Sequence, residues 1–246
     1  MSPGEVLSEA WALYRRHWRH LLPIALLVYL LLSLFVLLLA ALLGWLGIIA
    51  GVFVSLAGVF WLQGALVIAV EDIRDGRPDL SIGETLTRVR PTMNTLALAG
   101  ILAAIGISIG LVLLIVPGLV LATWWLLIVP SIVLERRSTL EAFGRSRELV
   151  RGHGWTVFGL IVLTFLILLG AGIALGIVLA LALSPLPEAL EQYVGDVVSN
   201  TLLAPFIALA FTLAYYRLRE ARGAPVATAA DSLGGAGYDR PAGGGV

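Results

Sequence analysis

Two small groups of side chains in this sequence have types and spacings that could do chemistry. The first is the histidines. His17 and His20 lie three residues apart, on one face if their segment is helical, and His153 follows a similar arginine-rich segment much later. Imidazoles so placed, with Glu5 or Glu141 as a further ligand, could hold a divalent metal. The spacing matches no zinc signature such as His-Glu-x-x-His, and histidines between arginines are ordinary at a membrane surface. No metal and no cofactor is therefore expected. The second group is Asp196, Ser199, Asn200 and Thr201, followed by Pro205, inside a long apolar stretch. Pro205 lacks a backbone N–H and should leave the Thr201 carbonyl without its helical partner. A broken backbone beside a carboxylate and an amide at membrane depth is what substrate and ion sites are made from. A kink plugged by the Asn and Thr side chains is the alternative. The sequence holds no nucleophile with a base, no phosphate loop and no dinucleotide fingerprint, so neither an enzyme nor a nucleic-acid partner is expected.

The elements that would position these groups are membrane spans. The chain of 246 residues is 59% hydrophobic and only 13% charged, with mean hydropathy +0.98. Water is not the solvent for most of such a surface. It has no cysteine, so disulfides and thiolate chemistry are excluded. It also has no lysine: all 16 basic residues are arginine, clustered at 15–19, 74–90, 136–151 and 217–240. The connections between the alternate ends of the apolar stretches carry none. Loops retained in the cytoplasm are rich in Lys and Arg, so the pattern predicts a multi-pass protein of the bacterial inner membrane with both termini cytoplasmic.

A hydrocarbon core of about 30 Å needs roughly 20 apolar residues per helix. Six spans satisfy this, at about 21–43, 45–70, 93–116, 119–134, 155–183 and 193–216. Gly44 makes the first turn and Pro117-Gly118 the third; Ser184-Pro-Leu-Pro187 ends the fifth span. The fifth is longer than needed, and tilt or a break near Gly170-Ala-Gly172 could absorb the excess. Residues 1–20 predict an interfacial amphipathic helix rather than a cleavable signal, with Leu7, Trp11, Tyr14, Trp18 and Leu21 on one stripe. The expected fold is all-α: a six-helix membrane domain over 21–222, three amphipathic helices, and a disordered tail at 223–246.

The arginine segments resemble one another. Glu5-Val-Leu7…Leu13-x-Arg15-x-His17 recurs as Glu141-Ala-Phe143…Leu149-x-Arg151-x-His153, displaced by 136 positions, and Ile82-Gly-Glu84-Thr-Leu86 is a shorter third copy. Each precedes a pair of spans, so the unit reads as interfacial helix, span, span. Guanidinium groups fork onto phosphate, which makes Arg15, Arg16, Arg19, Arg145, Arg147 and Arg151 the candidate contacts to anionic phospholipid headgroups. The bland alternative is that these arginines only orient the protein. Asp196, Asn200, Thr201 and Pro205 are the candidates for a polar site. Gln63 and Thr123, alone in their spans, predict interhelical hydrogen bonds. Small-residue pairs at Gly47/Gly51, Gly106/Gly110 and Gly172/Gly176 share one depth and predict helices converging at the end away from the arginines, with any cavity opening at the arginine end.

The run Pro130-Ser-Ile-Val-Leu-Glu135, then Glu141-Ala142…Arg145-Ser146…Leu149-x-Arg151-Gly152 and Trp155-x-Val157-Phe158, resembles a bacterial family. So does the ending Ala204-Pro205-Phe206…Tyr215-Tyr216-x-Leu218-Arg219. The family is the membrane domain fused to some glycerophosphoryl diester phosphodiesterases, with its stand-alone integral membrane relatives. In the fused members catalysis belongs to a separate soluble domain, and no segment here is long and polar enough to be that domain. The resemblance thus implies a fold and a membrane location, not a reaction. The expected role is non-enzymatic, with phospholipids, anionic ones favoured, as partners and the protein partner left open. A small transporter or lipid-handling protein using the polar site of the last span is the alternative.

Overall fold

The computed structural model describes residues 2–76 and 80–223, and among these every regular element is helical. The tail expected to be disordered lies, beyond Gly223, outside the described residues, as do Arg77 and Arg240. Six helices are long and apolar enough to cross a membrane. The first, α1 (Pro3–Leu43), contains both the amphipathic segment and the first span. No loop separates them: the chain bends at His17, whose φ of −119° and ψ of 19° leave the helical region. Gly44 at φ +58° then turns the chain into α2 (Trp45–Arg74). A short α3 (Ile82–Val89) and one 3-10 turn lead into α4 (Met93–Leu113).

The next turn is not at Pro117-Gly118, as the sequence suggested, but at Leu114, which is extended at φ −158° and ψ 134°. Pro117 instead occupies the first turn of α5 (Ile115–Trp124), where backbone N–H groups have no intrahelical partner and a missing donor costs nothing. Gly118 serves close packing: a Cβ on Gly110 of α4 would sit 2.9 Å from its Cα. Span four is broken. After α5 the chain leaves the helix at residues 125–127 and resumes as α6 (Ile128–Glu135), whose third residue is Pro130. The amphipathic α7 (Thr139–Val150) supplies what the break lacks. Its Ser146 hydroxyl donates to the Trp124 carbonyl at 2.6 Å and accepts the Leu127 N–H at 3.0 Å, all with Ser146 fully buried. Ser146→Ala should therefore cost about 1–3 kcal/mol, since a buried donor and acceptor lose their partner together. Unfolding in mixed detergent micelles measures it, and an unchanged midpoint would refute the role.

Helices α8 (Gly154–Leu183) and α9 (Glu188–Ala221) complete the fold. Helix α8 runs unbroken through Gly170-Ala-Gly172, and its length of about 45 Å points to tilt. Successive spans pack in order, and α9 closes the circuit against α1 while also meeting α2.

The buried core lies at one end. Leu21, Ile24, Leu62, Leu66, Leu96, Ile132, Leu149, Leu160, Leu209 and Tyr215 are all sealed, whereas Leu31, Leu42, Ile48, Val112, Phe165 and Leu181 are exposed. This reverses the expected convergence: the helices close at the arginine end and spread apart at the other. The glycines explain why. Gly47 and Gly51 meet Leu39 and Val36 across the α1–α2 turn, and Gly106 and Gly110 meet Trp125 and Gly118 across the α4–α5 turn. They tighten each hairpin and leave the hairpins apart. A Cβ on Gly172 or Gly176 would meet no other described helix within 4 Å.

Candidate functional site at the arginine-rich end

Each arginine segment opens with the same cap. Ser2 and Glu5, Ser81 and Glu84, and Ser138 and Glu141 each form a reciprocal Ser-x-x-Glu capping box at the start of α1, α3 and α7. Four and eight residues after each serine lie Val6 and Ala10, Thr85 and Val89, and Ala142 and Ser146, all six fully buried. His153, which precedes α8, has φ −121° and ψ 18°, nearly the angles of its counterpart His17. The middle segment differs by its length, eight residues in α3 against twelve in α7. The Glu141 carboxyl is held below the ordinary glutamate range by the Ser138 backbone N–H and then by the Ser138 hydroxyl. The α7 cap is thus charged and intact at neutral pH. Its contribution is present above the unfolded carboxyl value and fades as the pH falls through the folded one.

At the other end of this unit sits a carboxylate network. The Glu135 carboxylate, at the end of α6, accepts the Tyr215 hydroxyl at 2.7 Å and the Arg145 Nε–H at 3.0 and 2.9 Å to its two oxygens. Arg137 approaches it at 3.2 Å, and Arg145 reaches on to Glu148 at 3.1 Å. This ties α6, α7 and α9 together around a fully buried tyrosine. Arg136 ends α6 in the left-handed conformation at φ 51°, which turns the chain from Glu135 toward Ser138.

Three other contacts hold the same end. Arg217 of α9 pairs with Glu5 and Glu9 of α1 at 3.3 and 2.6 Å. Arg74 of α2 lies 3.7 Å over the Tyr216 ring and 4.0 Å from Glu220. Asp72 accepts the Leu80 N–H at 3.2 Å, with His20 Nε2 at 3.6 Å. Glu5, Glu9, Arg74, His153, Arg217 and Glu220 line a polar cavity of about 600 Å³.

The expected headgroup arginines divide into two sets. Arg15, Arg16, Arg19, Arg147 and Arg151 are exposed. Arg15 lies 5.6 Å over the Trp11 ring, Arg19 5.4 Å over Trp18 and Arg147 4.3 Å over Trp124. A guanidinium stacked on an indole face keeps its in-plane N–H groups free for phosphate. Along the expected stripe Trp11 and Trp18 are about half exposed, while Leu7 and Leu21 are buried together with Val6 and Ala10. Arg145 differs from the other five, because Glu135 and Glu148 occupy it.

The polar group of the last span is not gathered into one place. Asp196 and Asn200 are exposed, and the Asn200 amide donates back to the Asp196 carbonyl at 2.8 Å. Thr201 and Pro205 share a different, buried face of α9. Thr123 turns its hydroxyl to its own helix, donating to the Leu119 carbonyl at 2.8 Å, and among the described residues it makes no interhelical bond. The histidines stay separate too: His17 meets the Leu13 carbonyl and His20 meets Asp72. Among the described residues no three His, Cys, Asp or Glu side chains come together as metal ligands.

A family described as a domain of unknown function, DUF7847, matches residues 13–218. No curated protein and no solved structure matches the chain. The family match makes no connection to phosphodiesterase membrane domains.

Proposed function

The chain belongs to the DUF7847 family, by a match spanning most of its length, and from that premise we propose a non-enzymatic membrane domain whose arginine-rich end contacts anionic phospholipid headgroups. The observation that carries this reading is the set of exposed arginines alternating with indole rings around one end. Trp at the headgroup level and Arg reaching phosphate are the chemistry of an anionic leaflet. The other half of the molecule exposes large aliphatic side chains, which suits hydrocarbon. The three matching caps and their buried positions support an origin by threefold duplication, with one arginine-bearing helix per pair of spans. In this reading the basic end faces the cytoplasm of a bacterial cell.

The absence of cysteine makes orientation simple to test. Ser81→Cys at the arginine end should react with a membrane-impermeant maleimide only after the cells are opened. Ser184→Cys at the far end should react in intact cells, and the opposite pattern would invert the assignment. For the lipid contact, brominated phosphatidylglycerol in nanodiscs should quench tryptophan more than brominated phosphatidylcholine at equal density. Equal quenching by the two would contradict it.

A small lipid-handling protein is the second reading. The splayed far half favours it, since an open apolar end admits lipid from the membrane. Asp196 and Asn200, facing outward, lend it no assembled polar site.

A further inference from the structure

A groove of about 620 Å³ runs down the outside of the bundle, where the amphipathic part of α1 meets the seam between α8 and α9. Leu7, Ser8, Trp11 and Tyr14 of α1 form one wall; residues between 167 and 175 of α8 and between 202 and 206 of α9 form the rest. Helix α8 starts at the arginine-rich end and α9 finishes there, so from Ile167 to Leu175 the groove leads away from that end. That stretch is about 12 Å long, at 1.5 Å per residue. Among the described residues the lining is apolar apart from Ser8 and the Tyr14 hydroxyl, and none of it is charged. The Tyr14 hydroxyl is already used: it donates to the Leu202 carbonyl at 3.0 Å and ties α1 to α9. The space exists because α8 carries little bulk here. Ala171, exposed in the groove wall, lies between Gly170 and Gly172. The run Gly170-Ala-Gly172 leaves the helix unbroken and shapes the groove instead.

One end of this groove is cationic. Trp11 lines it and packs edge-on against Phe206, and the Arg15 guanidinium lies 5.6 Å over the same Trp11 ring. Arg15 and Arg16 are exposed and, among the described residues, unpaired. The carboxylates of the segment, Glu5 and Glu9, are held by Arg217. A headgroup here thus finds guanidinium groups for a phosphate and no free carboxylate on the segment for an ammonium. Lipid tails are as apolar as leucine, so an apolar groove alone selects no lipid; the arginine at its end does. The arrangement occurs twice. Arg147 lies 4.3 Å over Trp124, and Trp124 walls a second apolar groove with Trp155 and Phe158. We propose that the groove under α1 is a site for one anionic phospholipid, its phosphate on Arg15 and one acyl chain along α8 from Ile167 to Leu175. The site rests on the headgroup reading and adds to it a fixed place for the chain.

Phosphatidylglycerol carrying a diazirine midway along one chain, irradiated with the full-length protein in mild detergent, should label 167–175 and 202–206. Labelling there should saturate, and unlabelled phosphatidylglycerol should compete for it. The phosphatidylcholine analogue should label the same segments weakly. Ala171→Trp fills the groove from an exposed position and should remove these labels. Arg15→Gln should raise the phosphatidylglycerol needed for half-saturation about fivefold, as about 1 kcal/mol per arginine implies. If Ala171→Trp does not fold, the native protein decides: with the diazirine at the chain end, the saturable labels should move toward Leu175 and Leu202. A protein that retains phosphatidylglycerol in preference but is labelled evenly over its outward faces would overturn the groove and leave the headgroup contact standing. So would a folded Ala171→Trp protein labelled like the native one. Equal labelling of the groove by both lipids would overturn the groove as an anionic site and count against the headgroup reading as well.

Discussion

Glu135→Ala should lower stability by about 3 kcal/mol, more than any other single substitution at the arginine-rich end. The carboxylate is only 10% exposed and the Arg145 side chain 19%, so both are largely out of water. Removing the carboxylate leaves the Arg145 guanidinium with Glu148 alone and the sealed Tyr215 hydroxyl without its partner. Breaking a buried pair from one side typically costs about 3–5 kcal/mol, and the residual exposure here argues for the lower figure. Tyr215→Phe removes one hydrogen bond to a charged group and should cost about 1.5 kcal/mol. Glu135→Ala/Arg145→Ala should recover part of the single-variant loss, because no half-buried guanidinium is left with only Glu148 to pair it. Unfolding in mixed micelles gives all three numbers. A Glu135→Ala protein within about 0.5 kcal/mol of native, the scatter of ordinary surface substitutions, would mean that the network holds nothing together.

Neutralising the exposed arginines should act on lipid binding and spare the fold. Among the described residues Arg15, Arg16 and Arg19 form no ion pair, so Arg→Gln at all three removes charge without stranding a described carboxylate. Each arginine near an anionic surface contributes about 1 kcal/mol. Mutual screening makes the sum smaller than three such increments, and a loss of at least about tenfold in preference for phosphatidylglycerol over phosphatidylcholine is expected. The remaining preference should weaken with salt, as surface electrostatics do. Arg145→Gln should behave oppositely: lower stability, because Glu135 loses its main partner, and little change in lipid preference. The contrast separates arginines that face the membrane from one that holds the helices together.

The six spans, the arginine asymmetry and the recurring segment were legible because each is local: hydropathy and charge need no knowledge of the fold. The Ser-x-x-Glu spacing, present at Ser2, Ser81 and Ser138, would have strengthened the middle copy, since a capping box is read from four residues. What failed was tertiary. Pro117-Gly118 has the composition of a turn, yet proline is equally at home in a first helical turn, and only the approach of Gly110 shows which role it takes. The glycine pairs gave depth but not partner, so packing within hairpins was mistaken for packing between them. Glu135, Arg145 and Tyr215 are separated by up to 80 positions, and nothing in their local sequence marks them as a network. The one available signal was a carboxylate next to Arg136 and Arg137, at the end of an apolar span. Ser146 is legible only once the break at 125–127 is known.

Native mass spectrometry of the protein released from mild detergent, with its co-purified lipids, tests the headgroup contact most directly. The expected spectrum carries one or more bound anionic phospholipids. These are lost when Arg15, Arg16, Arg19, Arg147 and Arg151 are changed to glutamine, while Arg145 is kept. A bare protein, or the same adducts on both proteins, would contradict the account and return these arginines to orienting the chain in the membrane.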